Sequence, residues 1–160
     1  MPDITIQKAA AQDVPEIMKL LEFVNMHYIP SEEMPELDYR YYFVARDGDR
    51  IVGTSGYKIL SKTTGKTQLM VVHPDYRRLG IGLRLQAERL RAMAEQGAQR
   101  VVTNADRPET IRWYKKHFGY KKVGTLPKVH EFGDPNICEW TTLEMDLTQW
   151  LAQQNETERR

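Results

Sequence analysis

A single change of period, between Leu69 and Gln96, constrains the fold of this chain more than any other feature. Leu69-Met70-Val71-Val72 is continuously apolar, the pattern of a strand buried on both faces. After His73-Pro74 the spacing turns helical, from about Leu79 to Gln96. Leu83, Ala87, Leu90 and Ala94 share one face, and Arg84, Glu88, Arg91 and Glu95 share another, with opposite charges four apart. Gly97 stops the helix. Asp75-Tyr76-Arg77-Arg78-Leu79 joins strand to helix, and Gly80 and Gly82 open the helix. The first turn of a helix carries unpaired N–H groups and the positive end of the macrodipole. Glycine lets a phosphate approach that backbone with no Cβ in the way. Arg77 and Arg78 add charge beside it, and the two phosphates of a pyrophosphate match the arrangement.

The rest of the chain frames this unit. Ile4 and Ile6 alternate with Thr5 and Gln7, a short first strand. Asp13-Val14-Pro15-Glu16 reads as a capped helix start, with Val14, Ile17, Met18 and Leu21 on one apolar face. Asn25 to Tyr39 is irregular and acidic, with room for one short helix. Tyr41–Arg46 and Arg50–Leu60 read as strands joined at Asp47-Gly48. A turn at Thr64-Gly65 leads to a strand from Thr67 to Val72. Beyond Gly97, Arg100–Asn104 is a strand and Asp106-Arg107-Pro108-Glu109 reads as a capping box. It opens a helix that turns Ile111, Tyr114 and Phe118 inward and stops at Gly119. Tyr120–Gly124 and Ile137–Leu147 are further strands, Thr148–Asn155 a last helix, and Glu156–Arg160 a frayed tail. No repeat or linker divides the chain, so residues 1–147 form one α/β domain and 148–160 a helix and tail.

Composition excludes several classes. A net charge of +1 gives no global attraction to nucleic acid or an anionic membrane. Cys138 is the one cysteine, so no internal disulfide or cysteine zinc site can form, and a cytoplasmic setting fits. The start has no secretory pattern, no apolar run reaches membrane-span length, and the four histidines lack metal-ligand spacing. No metal, nucleic acid or membrane is expected.

Two other phosphate loops fail. Gly65-Lys66-Thr67 has the tail of a P-loop, but the first glycine would fall at Leu60 and a strand follows. Gly80-x-Gly82 lacks the third glycine of a dinucleotide fingerprint, where Leu85 stands. Arg77-Arg78-Leu79-Gly80-Ile81-Gly82 instead resembles the Arg/Gln-x-x-Gly-x-Gly/Ala motif of the GNAT N-acetyltransferase superfamily. Val71 to Arg77, Asn104 at a strand end, and Ile111-x-x-Tyr114-x-x-x-Phe118-Gly119-Tyr120 are similar to that family too. His117-Phe118-Gly119-Tyr120 departs from the family's usual Leu-Gly-Phe ending.

The resemblance implies a single mixed, mostly antiparallel twisted sheet of about seven strands, flanked by helices and splayed between strands 4 and 5. It implies that the N–H groups from Arg78 through Leu79, Gly80 and Ile81 to Gly82 hold the pyrophosphate of acetyl-CoA, with Arg77 alongside. Pantetheine would pair along Met70, Val71 and Val72, and Asn104 would contact it or hold a water. An N–H near Val72 would face the thioester carbonyl. Tyr114 would be the general acid. On spacing alone it reads as core; a phenol of pKa roughly 10 suits a thiolate whose thiol lies near roughly 8.5. Lys115 and Lys116 read as solvated, and the alternative sets them, with Arg84, against the adenosine phosphates. Gln68 stands where a base would be expected and cannot act as one; Glu22, His27, His73 and His130 qualify by type only.

The implied activity is N-acetyl transfer from acetyl-CoA to a primary amine, a small molecule before a peptide. The acidic Asn25–Tyr39 loop reads first as a solvated loop, with a wall that suits a cationic amine as the alternative, and Leu126–Asn136 is long enough for a lid. A non-catalytic CoA-binding sensor or recruitment module is the alternative. A homodimer is the assembly common among relatives.

Overall fold

Parallel strands need a crossover, and the helix that follows the glycines supplies it. The computed structural model describes residues 2–24, 36–129 and 133–158. Its elements are β1 (Ile4–Lys8), α1 (Val14–Phe23), β2 (Tyr42–Asp47), β3 (Arg50–Ile59), β4 (Thr64–Val72), α2 (Ile81–Glu95), β5 (Arg100–Ala105), α3 (Pro108–Phe118), β6 (Lys121–Pro127), β7 (Glu139–Asp146) and α4 (Leu147–Glu158). Short 3-10 turns lie at Ala11–Asp13, Tyr39–Tyr41 and Pro74–Tyr76. The strands form a seven-stranded sheet in the order β1-β2-β3-β4-β5-β7-β6. β4 and β5 are parallel and joined through α2, whereas the β1–β2, β2–β3, β5–β7 and β6–β7 pairs are antiparallel. This is the mixed α/β sheet expected. The β4–β5 register covers Thr64–Lys66 against Arg100–Val102, at the start of strands that run on to Val72 and Ala105. Most of the Asn25–Tyr39 stretch, which has room for one short helix, falls outside the described residues. Among the described residues, no helix is long and apolar enough to cross a membrane.

The chain divides into two compact units. In the first, Met1–Tyr57 with Gln68–Arg89, the expected capping box at Asp13 does not form. The 3-10 turn at Ala11–Asp13 already puts Asp13 in helical backbone (φ −81°, ψ −18°), so its carboxylate cannot cap the turn that follows. It accepts instead from the Ala10 N–H at 2.8 Å and pairs with Arg46 of β2. Glu16 accepts from the Ile51 N–H at 2.7 Å, tying α1 to the start of β3. α1 buries Ile17, Leu20 and Leu21 and half-buries Val14 and Met18. β2 turns into β3 at Gly48, whose φ of +61° favours glycine.

Two expectations about the strand and helix of the opening motif change. β4 is not buried on both faces: Leu69 and Val71 are buried, while Gln68, Met70 and Val72 are half-exposed. Runs of apolar residues hide such alternation, because only burial separates the two faces. The buried stripe of α2 is not Leu83, Ala87, Leu90 and Ala94. It comprises Ile81, Leu85, Leu90 and Met93 together with Gln86 and Arg89, and Leu83 is exposed. Two polar residues in the stripe displaced the apparent apolar face.

In the second unit, Lys58–Thr67 with Leu90–Arg160, the turn expected at Thr64-Gly65 lies earlier. The Leu60 and Ser61 N–H groups donate to the Thr64 carbonyl, and Thr64 and Gly65 already pair with Arg100 and Val101. Gly65 is glycine for room, since a Cβ there would collide with the sulfur of buried Met93. Gly65→Val should therefore cost about 1–3 kcal/mol by overpacking, read as a lower midpoint in urea with unchanged m. Thr67 and Thr103 join their buried hydroxyls. α4 begins where the Asp146 carboxylate accepts from the Gln149 N–H at 2.9 Å and continues to Glu158, past the expected fraying at Glu156. Its Trp150 packs against Phe118 of α3.

Candidate active site

The loop between β4 and α2 is built from the first unit's hairpin. His73 begins it and is only 6% exposed. Its Nδ1 accepts from the Asp75 N–H at 3.1 Å, which starts the Pro74–Tyr76 turn. The ring stacks on Phe23 of α1, with centroids 4.7 Å apart. Its Nε2 lies 3.1 Å from the Arg50 guanidinium. The Tyr76 hydroxyl donates to Asp47 at 2.5 Å, and that hydrogen bond pushes the phenol above its ordinary pKa. Arg50 also sits over the Tyr76 ring. Asp47 and Arg50, the residues flanking the β2–β3 turn, thus clasp the loop, and His73 serves as its anchor.

Past this anchor the backbone takes an unusual course. Arg77 is extended (φ −68°, ψ 157°), Arg78 is left-handed at φ +67°, and Gly80 is left-handed at φ +76°. A non-glycine residue at positive φ is uncommon and costs about 1 kcal/mol or more. The first intrahelical bond of α2 runs from the Arg84 N–H to the Gly80 carbonyl. The N–H groups of Ile81, Gly82 and Leu83 therefore precede the hydrogen-bond ladder of a helix of 15 residues. Arg77, Arg78 and Gly80 are exposed, and Leu79 and Gly82 are half-buried. α2 has no acidic residue in its first turn. Left-handed backbone leading into the first N–H groups of a helix is a geometry suited to receiving an anion. Met70, Val71 and Val72 lie on β4 just ahead of it.

The second unit carries Tyr114 and Asn104. Tyr114 is 6% exposed on α3, edge-on to Trp113 and to Tyr120, each with centroids 5.0 Å away. Gly119, at φ +68°, ends α3 and donates its N–H to the Lys115 carbonyl at 3.2 Å. Tyr120, directly after that turn, is 3% exposed. Asn104 lies on β5 and accepts from the Thr142 hydroxyl at 2.7 Å. Lys115, Lys116 and Arg84 are exposed.

The expected capping box at Asp106 is absent; Pro108 simply begins α3. Asp106 instead holds the β6–β7 connection. It accepts from the Arg107 N–H at 2.8 Å, the Asp134 N–H at 2.7 Å and the Lys128 ammonium at 2.9 Å. Lys128 also donates to the Asp134 carbonyl and lies 4.5 Å from the Trp140 ring centroid. Burial works against ionisation of Asp106, but the Asp134 N–H and Lys128 outweigh it and hold the carboxyl below its ordinary value. A depressed folded-state value stabilises the protein above the unfolded value and ceases to do so as pH falls through the folded one. The stability gap between wild type and Asp106→Asn should thus be full at pH 7, narrow below about pH 4, and close in stronger acid. Thermal melts of both proteins across that range check it.

Among the four candidate bases, His73 is committed to the anchor and Glu22 is exposed on α1. His27 and His130 lie outside the described residues, as do Tyr28, Glu131 and Phe132 of the two expected acceptor loops. Lys128 and Arg89 carry no signal in the sequence, and Asp106 reads there as a helix cap, since partners that lie far apart in the chain leave no local pattern.

Comparison with known proteins gives one consistent result. The family model described as the acetyltransferase (GNAT) family matches residues 14–120. No curated protein sequence matches the chain. Among solved structures, Ard1 from Thermoplasma volcanium superposes with a TM-score of 0.74 at 20% identity, covering 89% of this chain and 97% of that one. Arabidopsis thaliana Naa50, in complex with the bisubstrate analogue CoA-Ac-MVNAL, gives 0.68 at 17% identity, covering 89% and 98%. N-acetylglutamate synthase from Neisseria gonorrhoeae, complexed with coenzyme A and N-acetyl-glutamate, gives 0.70 at 19% identity, covering 92% of this chain and 36% of that one. At these identities the superpositions carry the fold alone.

Proposed function

Because the chain belongs to the GNAT acetyltransferase family, we propose that it moves the acetyl group of acetyl-CoA to a primary amine by direct attack of the neutral amine on the thioester. The observation that supports this most is the left-handed backbone at Arg78 and Gly80, leading into the N–H groups of Ile81 and Gly82 ahead of the α2 ladder. In this reading those amides, with Leu79 between them and Arg77 beside them, hold the pyrophosphate. Met70, Val71 and Val72 pair with pantetheine, and an amide near Val72 stabilises the oxyanion of the tetrahedral intermediate. When that intermediate collapses, the carbon–sulfur bond breaks and Tyr114 gives its phenolic proton to the departing thiolate. Asn104 contacts pantetheine or orients a water.

The acceptor we favour is a small amine. Naa50 was crystallised with a peptide-bearing bisubstrate analogue and the synthase with an N-acetylated amino acid, so the fold accommodates acceptors of both sizes. A thiol-release assay with acetyl-CoA against amines, polyamines, amino acids and peptides tests the reading. Turnover with at least one amine is expected. CoA binding with no turnover across the panel would instead establish the sensor or recruitment reading.

A further inference from the structure

Gln86 and Arg89 lie in the middle of α2, and both are 0% exposed. A fully buried arginine is rare, because its charge must be met by good acceptors in a low-dielectric interior. Here the Arg89 Nε donates to the Gln86 Oε1 at 2.5 Å. Its Nη1 reaches the backbone of two strands: the Gly56 carbonyl of β3 at 3.1 Å, the Gln68 carbonyl of β4 at 3.0 Å and, at 3.4 Å, the Leu69 carbonyl. The acceptors on β4 belong to the two peptide groups that lead directly into Met70.

We propose that Arg89 is a positioning residue for acetyl transfer, which fixes and polarises the β4 backbone at Gln68 and Leu69, directly ahead of the stretch Met70–Val72. This rests on the acetyl-transfer reading above. The Gln68 carbonyl shares its peptide group with the Leu69 N–H, and the Leu69 carbonyl shares its own with the Met70 N–H. A cation on the oxygen of a peptide group draws electrons from its nitrogen and strengthens the N–H as a donor, by roughly 10–30% per bond in condensed-phase estimates. The same contacts hold the strand to one geometry. Gln86 orients the guanidinium through Nε, leaving Nη1 for the carbonyls. Stability alone is a poor reason for such a device, since replacing buried ionic groups by apolar residues of similar volume is often neutral or stabilising.

The test compares wild type, Arg89→Lys and the double variant Gln86→Leu/Arg89→Leu. Three quantities are measured: thermal stability, CoA affinity by calorimetry, and the carbonyl stretch of bound acetyl-CoA carrying 13C at the acetyl carbonyl, by difference infrared spectroscopy. In wild type the stretch should move to lower frequency on binding, as a carbonyl does when it accepts hydrogen bonds. The double variant should stay folded, keep CoA affinity within about threefold, and lose most of that shift. Arg89→Lys should retain part of it, because charge remains. An unchanged shift in the folded double variant, or in Arg89→Lys should the double variant not fold, would overturn the proposal. So would a shift lost only in step with stability and CoA affinity. Wild type that does not bind acetyl-CoA at all would instead sink the acetyl-transfer reading itself.

Discussion

Gly82→Asp should abolish CoA binding and leave the fold intact. Gly82 sits in the first turn of α2, where the N–H groups precede the ladder that begins with the Arg84 N–H to the Gly80 carbonyl. A carboxylate there is favourable for the helix itself, worth roughly 0.3–1 kcal/mol against the macrodipole. The same carboxylate would stand where the pyrophosphate should bind. Two like charges about 4 Å apart repel by about 4 kcal/mol at an effective dielectric near 20, which is more than a hundredfold in Kd. The expected signature is a thermal midpoint at or above that of wild type together with no measurable CoA binding by calorimetry. Unchanged affinity in the variant would remove this segment from the cofactor site.

Tyr114→Phe should lower kcat by about 10² to 10⁴, the usual worth of a positioned proton donor, with acetyl-CoA affinity nearly unchanged. The substitution keeps the ring that packs against Trp113 and Tyr120, so α3 should remain in place. Single-turnover thiol release separates this loss in the chemical step from any change in binding. Wild-type turnover in the variant would show that the thiolate is protonated by another group, or by water.

The order of elements was legible in the sequence because each depends on nearby residues. Gly48 marks the hairpin, Gly119 ends α3, and alternation in β1 sets its single buried face. The GNAT likeness was equally legible, because the loop from Arg77 to Gly82 must carry its glycines at fixed places. Charged residues and glycines near an element's end mislead when only their neighbours in the chain are considered. Asp13, Glu16 and Asp106 looked like helix caps, yet they reach Arg46, Ile51 and Asp134 respectively. Arg89 belongs to neither face read from the helical spacing, and it is buried with its guanidinium on the carbonyls of two strands. Thr64-Gly65 looked like a turn because glycine often marks one. It is a strand residue pressed against Met93. Tertiary partners decide such cases, and no local spacing encodes them.

In the proposed reaction the Arg78–Gly82 backbone receives the pyrophosphate of CoA. This contact is tested most directly by titrating 15N-labelled protein with CoA and following the backbone amides by NMR, with pantetheine as the control. Large, saturable shifts of the Gly80 and Gly82 amides are expected with CoA, and little movement of either with pantetheine, which lacks the pyrophosphate. CoA that binds while both glycine amides stay in place would contradict it.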